Sequence, residues 1–248
     1  MKDWKIYNKF NSLNEITAGT TTKDGNKYYN FSLALHTGEN KKEIEINREK
    51  FSNYFPKNYK FISLTQIHSN KVLDANDLIS NNKWNRDIEA DGIVTNKKEI
   101  VLTILTADCL AILMYDKKAK VIGAAHAGWR GVDQNISKEL LQTMQKYGAR
   151  AENIIVAISP SIRGCCYEVG EDVAKHFFKY PNAINKKLNN KFNLDISIVA
   201  KEQLLELGFI DKNIEISPIC TSCQNSNYFS YRKECGCSGR FMSFIAMS

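Results

Sequence analysis

The chain has 248 residues, of which 43% are hydrophobic, 10% aromatic and 25% charged, an ordinary composition for a globular protein with a substantial core. Its formal charge is +7, but the lysines fall as scattered doublets (Lys41-Lys42, Lys97-Lys98, Lys117-Lys118, Lys186-Lys187), which predicts a solvated surface and no nucleic-acid partner. The opening MKDWKIYNKF has no apolar stretch or small-residue cleavage site, and the run over 101–115 is broken by Asp108 and too short to cross a bilayer. A soluble, cytoplasmic protein without a membrane partner is expected.

FISLT (61–65), DGIVT (91–95), VLTIL (101–105), LAILMY (110–115) and VIGAAHA (121–127) are short, β-branched-rich runs between polar clusters, and predict strands. After Gly131 the pattern changes: Ile136, Leu140, Leu141, Met144 and Tyr147 recur at helical spacing, with Gly148 placed to end the helix. NIIVAIS (153–159) predicts another strand, and EDVAKHFFKY (171–180) a helix with Val173, Phe177 and Tyr180 on one face. A second helix over 195–209 ends near Gly208; NIEIS (213–217) and FMSFIAM (241–247) close the chain as strands. No linker or repeat divides residues 1–248, so one domain is expected. Strands in runs before the first strong helix favour an α+β fold with a mixed sheet. No G-x-G-x-x-G or P-loop follows a strand, so a dinucleotide or ATP site has no support.

Four histidines occur, at 36, 68, 126 and 176. His176 reads as a surface or core-edge residue within a helix, and His36 as a structural residue before a turn. His68, Cys109 and His126 each lie at a strand end, where loops carry function on a rigid scaffold. Asp108, beside Cys109, interrupts two apolar runs; burying a carboxylate there is costly unless it is paired or faces a site. Two imidazoles and one thiolate suit zinc or copper, and three protein ligands leave a fourth position for water or substrate. Spacing alone leaves the alternative of a core cysteine and two unrelated loop histidines. AHAGWRGV adds a glycine-bracketed turn into a helix, a place for an anion, with Arg130 as a fork of donors. An exposed arginine on a tight turn is the alternative.

Seven cysteines cannot all pair within the chain, and reduced thiols are expected. Cys220-x2-Cys223 and Cys235-x-Cys237 resemble the halves of a zinc knuckle, but the second is unusually tight, which favours free thiols or an adventitious site. Cys165-Cys166 receives no assignment, because adjacent cysteines rarely serve one ion well.

Together, TQIHSNKV, ADGIVT, LTADCLAILMYD, AAHAGWRGV, ISPSIRGCCYEVGEDV, Cys220-Thr221, YFSYR and Gly239-Arg240 resemble the polyphenol oxidase laccase-domain family, whose members are generally regarded as purine nucleoside phosphorylases. The motifs occur in family order from about residue 16 to the end of the chain. The resemblance implies a mixed β-sandwich-like α+β fold with flanking helices, and carries the metal-ligand role onto His68, Cys109 and His126. It implies adenosine, inosine and methylthioadenosine as substrates, phosphate as co-substrate, and adenosine deamination as a further activity. Asp108 then becomes the candidate acid–base group, Arg130 a catalytic and phosphate-binding residue, and Lys23 and Gln66 candidate substrate contacts. Two positions depart from the family pattern: Lys23 stands where it has Arg, losing the bidentate fork, and Ser32 where it usually has Asn.

Two other chemistries fit the same residues. A His2Cys site can hold one copper for phenol oxidation, although a multicopper laccase needs more histidines than four. Cys109 could instead be the nucleophile of a Cys-His hydrolase, with His126 or His68 as base.

Overall fold

The computed structural model describes residues 4–78, 82–85, 88–236 and 239–248. Strands β1 (Trp4–Ile6), β2 (Ile16–Thr21), β3 (Lys60–Ser63), β4 (Val72–Asp74) and β5 (Trp84–Asn85) come first. Four more follow with no helix between them: β6 (Gly92–Thr95), β7 (Ile100–Thr106), β8 (Leu110–Asp116) and β9 (Val121–Ala127). The remainder are β10 (Ile154–Ile158), β11 (Glu168–Gly170), β12 (Ile184–Lys186), β13 (Lys191–Leu194), β14 (Ile214–Ile216) and β15 (Phe241–Met247). The α-helices are α1 (Asn8–Asn11), α2 (Lys41–Ser52), α3 (Trp129–Asp133), α4 (Ile136–Gln145), α5 (Glu171–Ala174) and α6 (Ile196–Glu206). Among the described residues no helix is long and apolar enough to cross a membrane.

Two six-stranded mixed sheets, β1-β2-β15-β7-β3-β5 and β14-β10-β8-β9-β6-β4, lie face to face, and β11-β13-β12 form a small antiparallel sheet. Side chains alternate across each strand, so one face of β7 (Leu102, Ile104) meets one face of β8 and β9 (Ala111, Leu113, Tyr115, Ile122, Ala124) in the central core. The outer face of the first sheet (Val101, Phe61, Phe244) packs on Phe51 of α2. The outer face of the second (Ile112, Met114, Ala125) packs on Leu140 and Met144 of α4 and Val199 and Leu204 of α6. Helices on both outer faces explain why β7, β8 and β9 are buried at every position and read as continuous apolar runs. The expected mixed sandwich with flanking helices is present.

Two local expectations change. The segment 171–180 is not one α-helix: α5 ends at Ala174 and a 3-10 turn follows over Lys175–Phe177. The buried residues here are Ala174, Phe177 and Tyr180, a spacing of three that suits the tighter helix, and Pro181 stops any continuation. Helix α2, by contrast, gave no apolar stripe to find, because its inner face carries Asn47 and Arg48 beside Ile44 and Phe51. Both donate to main chain: Asn47 Nδ2 to Ser32 O at 2.9 Å and Arg48 Nε to Leu33 O at 2.8 Å.

The central core should dominate stability. Leu113→Ala removes a fully buried side chain between the sheets, and a loss of about 2–5 kcal/mol in unfolding free energy is expected from urea denaturation.

Candidate active site and metal centre

Strand register assembles the site. In the β8–β9 hairpin Leu110 pairs with Ala127, so the next positions outward, Cys109 and Gly128, face each other. In the β6–β9 pair Gly92 lies opposite Ala125, which sets Asp91 against His126. His68 arrives from the loop between β3 and β4. The ligand atoms of His68, Cys109 and His126 all lie within 4.8 Å of one another, so the three can hold a metal ion.

Asp91 holds this arrangement together. Its Oδ2 accepts from Ser69 N at 2.7 Å, Ser69 Oγ at 2.8 Å and Ile67 N at 3.3 Å; its Oδ1 accepts from His68 N at 3.0 Å and pairs with His126 Nδ1 at 2.8 Å. Burial would push its carboxyl up, but the bonds from His126 and Ser69 outweigh burial and hold it below the usual range. With Nδ1 committed to Asp91, Nε2 is the His126 nitrogen left to face Cys109, the carboxylate–histidine arrangement that orients metal-binding imidazoles. Sequence reading quoted Asp91 only inside a motif; the signal was a charged residue opening a fully apolar strand.

The electrostatics suit a cation. Burial would push the Cys109 thiol up, but the His126 charge and hydrogen bonds from His126 and His68 pull it down to about 6, so the thiolate is accessible at neutral pH. Burial disfavours charge on His126, yet Cys109 and Asp91 carry it up to about 9. The negative charge that would keep a proton on His126 is the charge that would hold a metal in its place. Gly128 is required by the same packing: a Cβ there would sit 3.1 Å from His68 Cδ2 and 3.2 Å from Cys109 Sγ.

These groups form the floor of a cavity of about 370 Å3. Asp108 lines it from a left-handed backbone conformation (φ 87°), with Oδ1 accepting from Thr221 Oγ1 at 2.6 Å and Oδ2 from Arg232 N at 2.7 Å. Arg130 also lines it, its guanidinium stacked on Trp129; among the described residues no carboxylate or carbonyl takes it. Helix α3, into which the glycine-bracketed turn leads, is only five residues long, and Arg130 is its second residue. Arg232, Arg240, Tyr167 and Tyr231 also line the cavity; the sequence offers them inside the family motifs, with no role attached. Burial, then the Cys109 charge, pushes Tyr167 up to about 12, so its phenol stays neutral. His36 also faces the cavity, and burial with Arg240 and Arg48 nearby pushes its imidazole down. His176 lies at the edge, 3.1 Å from Asp133.

A family model described as multi-copper polyphenol oxidoreductase laccase matches residues 17–248. The chain belongs to this laccase-domain family. It is 30% identical to the purine nucleoside phosphorylase YlmD of Bacillus subtilis (strain 168) over 262 residues, covering 100% of this chain and 93% of that protein. It is 29% identical to the purine nucleoside phosphorylase of Bacteroides thetaiotaomicron, covering 96% and 94%. Among solved structures it resembles YlmD from Geobacillus stearothermophilus, with a TM-score of 0.88, 26% identity and coverage of 99% and 96%. The Bacillus licheniformis hypothetical protein YfiH gives a TM-score of 0.89 at 25% identity, covering 100% and 97%.

The two departures from the laccase-domain pattern have local explanations. Lys23 is not on the cavity wall: its Nζ bonds Glu234 Oε1 at 2.5 Å and Asn225 O at 2.8 Å, so its charge is already matched. Ser32 is fully buried and its Oγ accepts from Arg240 N at 3.2 Å; a Cβ on Gly239 would meet it at 2.6 Å, leaving little room for Asn. Gln66 does line the cavity, but its amide exchanges two bonds with the Leu105 main chain, at 2.7 and 2.8 Å. The disfavoured knuckle does not form among the described cysteines, but a different cluster does. Cys220 and Cys223 meet Cys165 and Cys166, the pair left unassigned, while Cys235 is exposed and apart; Cys237 lies outside the described residues.

Asp91→Asn keeps the shape of the hub but removes its charge. Metal affinity is expected to fall about 10–100-fold, measured by competition with a chromogenic chelator, with a lower unfolding temperature in the same protein.

Proposed function

We propose that the chain is a metal-dependent purine nucleoside phosphorylase acting on adenosine, inosine and methylthioadenosine, with adenosine deamination as a further activity. One observation carries this reading: a single cavity joins the His68–Cys109–His126 floor to Asp108, an unpaired Arg130 and the rings of Tyr167 and Tyr231. A guanidinium recognises an anion, and aromatic walls suit a planar base. The relatives named purine nucleoside phosphorylase support the same conclusion.

In phosphorolysis a phosphate oxygen bonds the anomeric carbon as the C–N bond breaks, and the departing purine takes up a proton. Arg130 holds phosphate against the sugar, a proximity and electrostatic contribution. Asp108 exchanges the proton with the base, its oxygens fixed by Thr221 and the Arg232 amide. Asp91 keeps His126 in one orientation throughout. His68, Cys109 and His126 would hold the metal, zinc being favoured and copper compatible with the same donors; when bound it supplies Lewis acidity beside the reacting groups. Gln66 serves as a wall whose amide is anchored to Leu105.

A Cys-His hydrolase is favoured by one observation, the lowered Cys109 thiol beside a raised His126. Metal analysis separates the readings: a stoichiometric ion lost in Cys109→Ala disfavours a free nucleophile.

The purified protein, incubated with each nucleoside with and without phosphate, is expected to release free base and the sugar 1-phosphate only when phosphate is present, as read by chromatography. Arg130→Ala removes a charge-assisted contact of about 1.5–3 kcal/mol, so the KM for phosphate should rise about 10–100-fold. Phosphate-independent conversion of adenosine to inosine alone would make the protein a deaminase, and phenol-dependent oxygen uptake an oxidase. No turnover of any substrate would make it a binding module.

A further inference from the structure

Behind the cavity lies a second cluster of metal-ligating groups. The sulfurs of Cys165, Cys166, Cys220 and Cys223 all lie within 4.8 Å of one another, Cys165 and Cys223 at 3.7 Å and Cys166 and Cys223 at 3.3 Å. A tetrahedral zinc with Zn–S near 2.3 Å needs sulfurs about 3.8 Å apart along each edge; the Cys165–Cys223 distance matches it and the Cys166–Cys223 distance would open by about half an ångström. An iron–sulfur cluster interposes its own atoms between the cysteine sulfurs and would hold them farther apart.

We propose that Cys165, Cys166, Cys220 and Cys223 form a structural zinc site distinct from the His68–Cys109–His126 centre. Four thiolates close the coordination shell, the mark of a structural and not a catalytic ion. Cys220-x2-Cys223 is half of a zinc knuckle, and its remaining half comes from the turn after β10. Adjacent cysteines serve there because the chain curls at 164–166: Cys166 N and Tyr167 N both donate to Arg163 O at 2.9 Å, which brings both sulfurs to Cys223. Ser161 and Cys220 form an isolated parallel bridge, so the two segments are in register before any ion arrives.

The ion would join loops 57 and 58 residues apart in sequence, the first of which walls the cavity while the second bonds the cavity's Asp108. One loop carries Ile162 and Tyr167; the other carries Thr221, which holds Asp108 at 2.6 Å. The second zinc is therefore a brace for the Asp108 carboxylate, reaching it through one peptide bond from Cys220.

The test is a metal count by native mass spectrometry and elemental analysis of the full-length protein, which does not depend on any activity. Wild type should carry two zinc ions per chain, Cys109→Ala one, the Cys165→Ser/Cys223→Ser pair one, and all three substitutions none. Cobalt substitution of Cys109→Ala should give the intense absorption of a tetrahedral tetrathiolate. In wild type, iodoacetamide should spare Cys165 and Cys223 until a chelator is added, a readout that needs no variant to fold. The proposal fails if folded Cys109→Ala carries no zinc, if iron occupies the cluster, if the isolated protein contains a Cys166–Cys223 disulfide, or if Cys165 and Cys223 alkylate freely without chelator. Loss of the His68–Cys109–His126 ion alone would count against the catalytic reading and leave this one standing.

Discussion

A buried carboxylate holds three separate pieces of chain at the candidate metal centre. Asp91 opens β6, yet it gathers the amides of residues 67–69, the Ser69 hydroxyl and the His126 ring, while its own carbonyl accepts from His126 N at 2.7 Å. An isolated carboxylate in such a place would cost many kcal/mol; here five donors surround it, one of them a potential cation. Removing any partner leaves part of that charge unmatched, so the loop carrying His68 cannot leave β9 cheaply. The position of His68 is thereby set by a residue that need not touch substrate or metal.

The same bonding sustains strained backbone. His68 (φ 59°) and Asp108 (φ 87°) both occupy the left-handed region, which costs on the order of 1–3 kcal/mol for a non-glycine residue. Each is held from outside: His68 N by Asp91, and the Asp108 side chain by Thr221 and Arg232. Sheets covered on both faces cannot rearrange to relieve the strain. Rigid strands deliver Cys109 and His126 to their ends, and the loops between them supply His68, Tyr167 and Arg232.

What the sequence disclosed follows from this division. β7, β8 and β9 were readable because two covered faces demand unbroken apolar runs, and Cys109 and His126 because they end such runs. Asp108 stands out as a charge between two apolar runs, whereas Asp91 follows the charged stretch RDIE and has an apolar run on one side alone. The far walls were not readable, since Arg232 and Arg240 sit in polar loops where arginine is unremarkable, and only packing brings them to Asp108 and Ser32. The cysteine arrangement was hidden for a related reason. Cys165 and Cys166 are more than fifty residues from Cys223, and no local spacing announces a cluster assembled by a strand bridge.

Lys23 shows how a family position can keep its charge with a different task. A phosphate-binding role would require a free cation on the cavity wall, but the Lys23 ammonium is already neutralised by Glu234 and capped by the Asn225 carbonyl. Glu234 in turn accepts from Asn225 Nδ2 at 2.9 Å and Ser230 N at 3.4 Å, so the ion pair lies inside the turn that presents Tyr231 and Arg232. Lys23, just past β2, is thereby bonded to the 225–234 loop that carries those two residues. The Arg130 guanidinium on the cavity wall, by contrast, rests on the Trp129 ring and meets no carboxylate among the described residues.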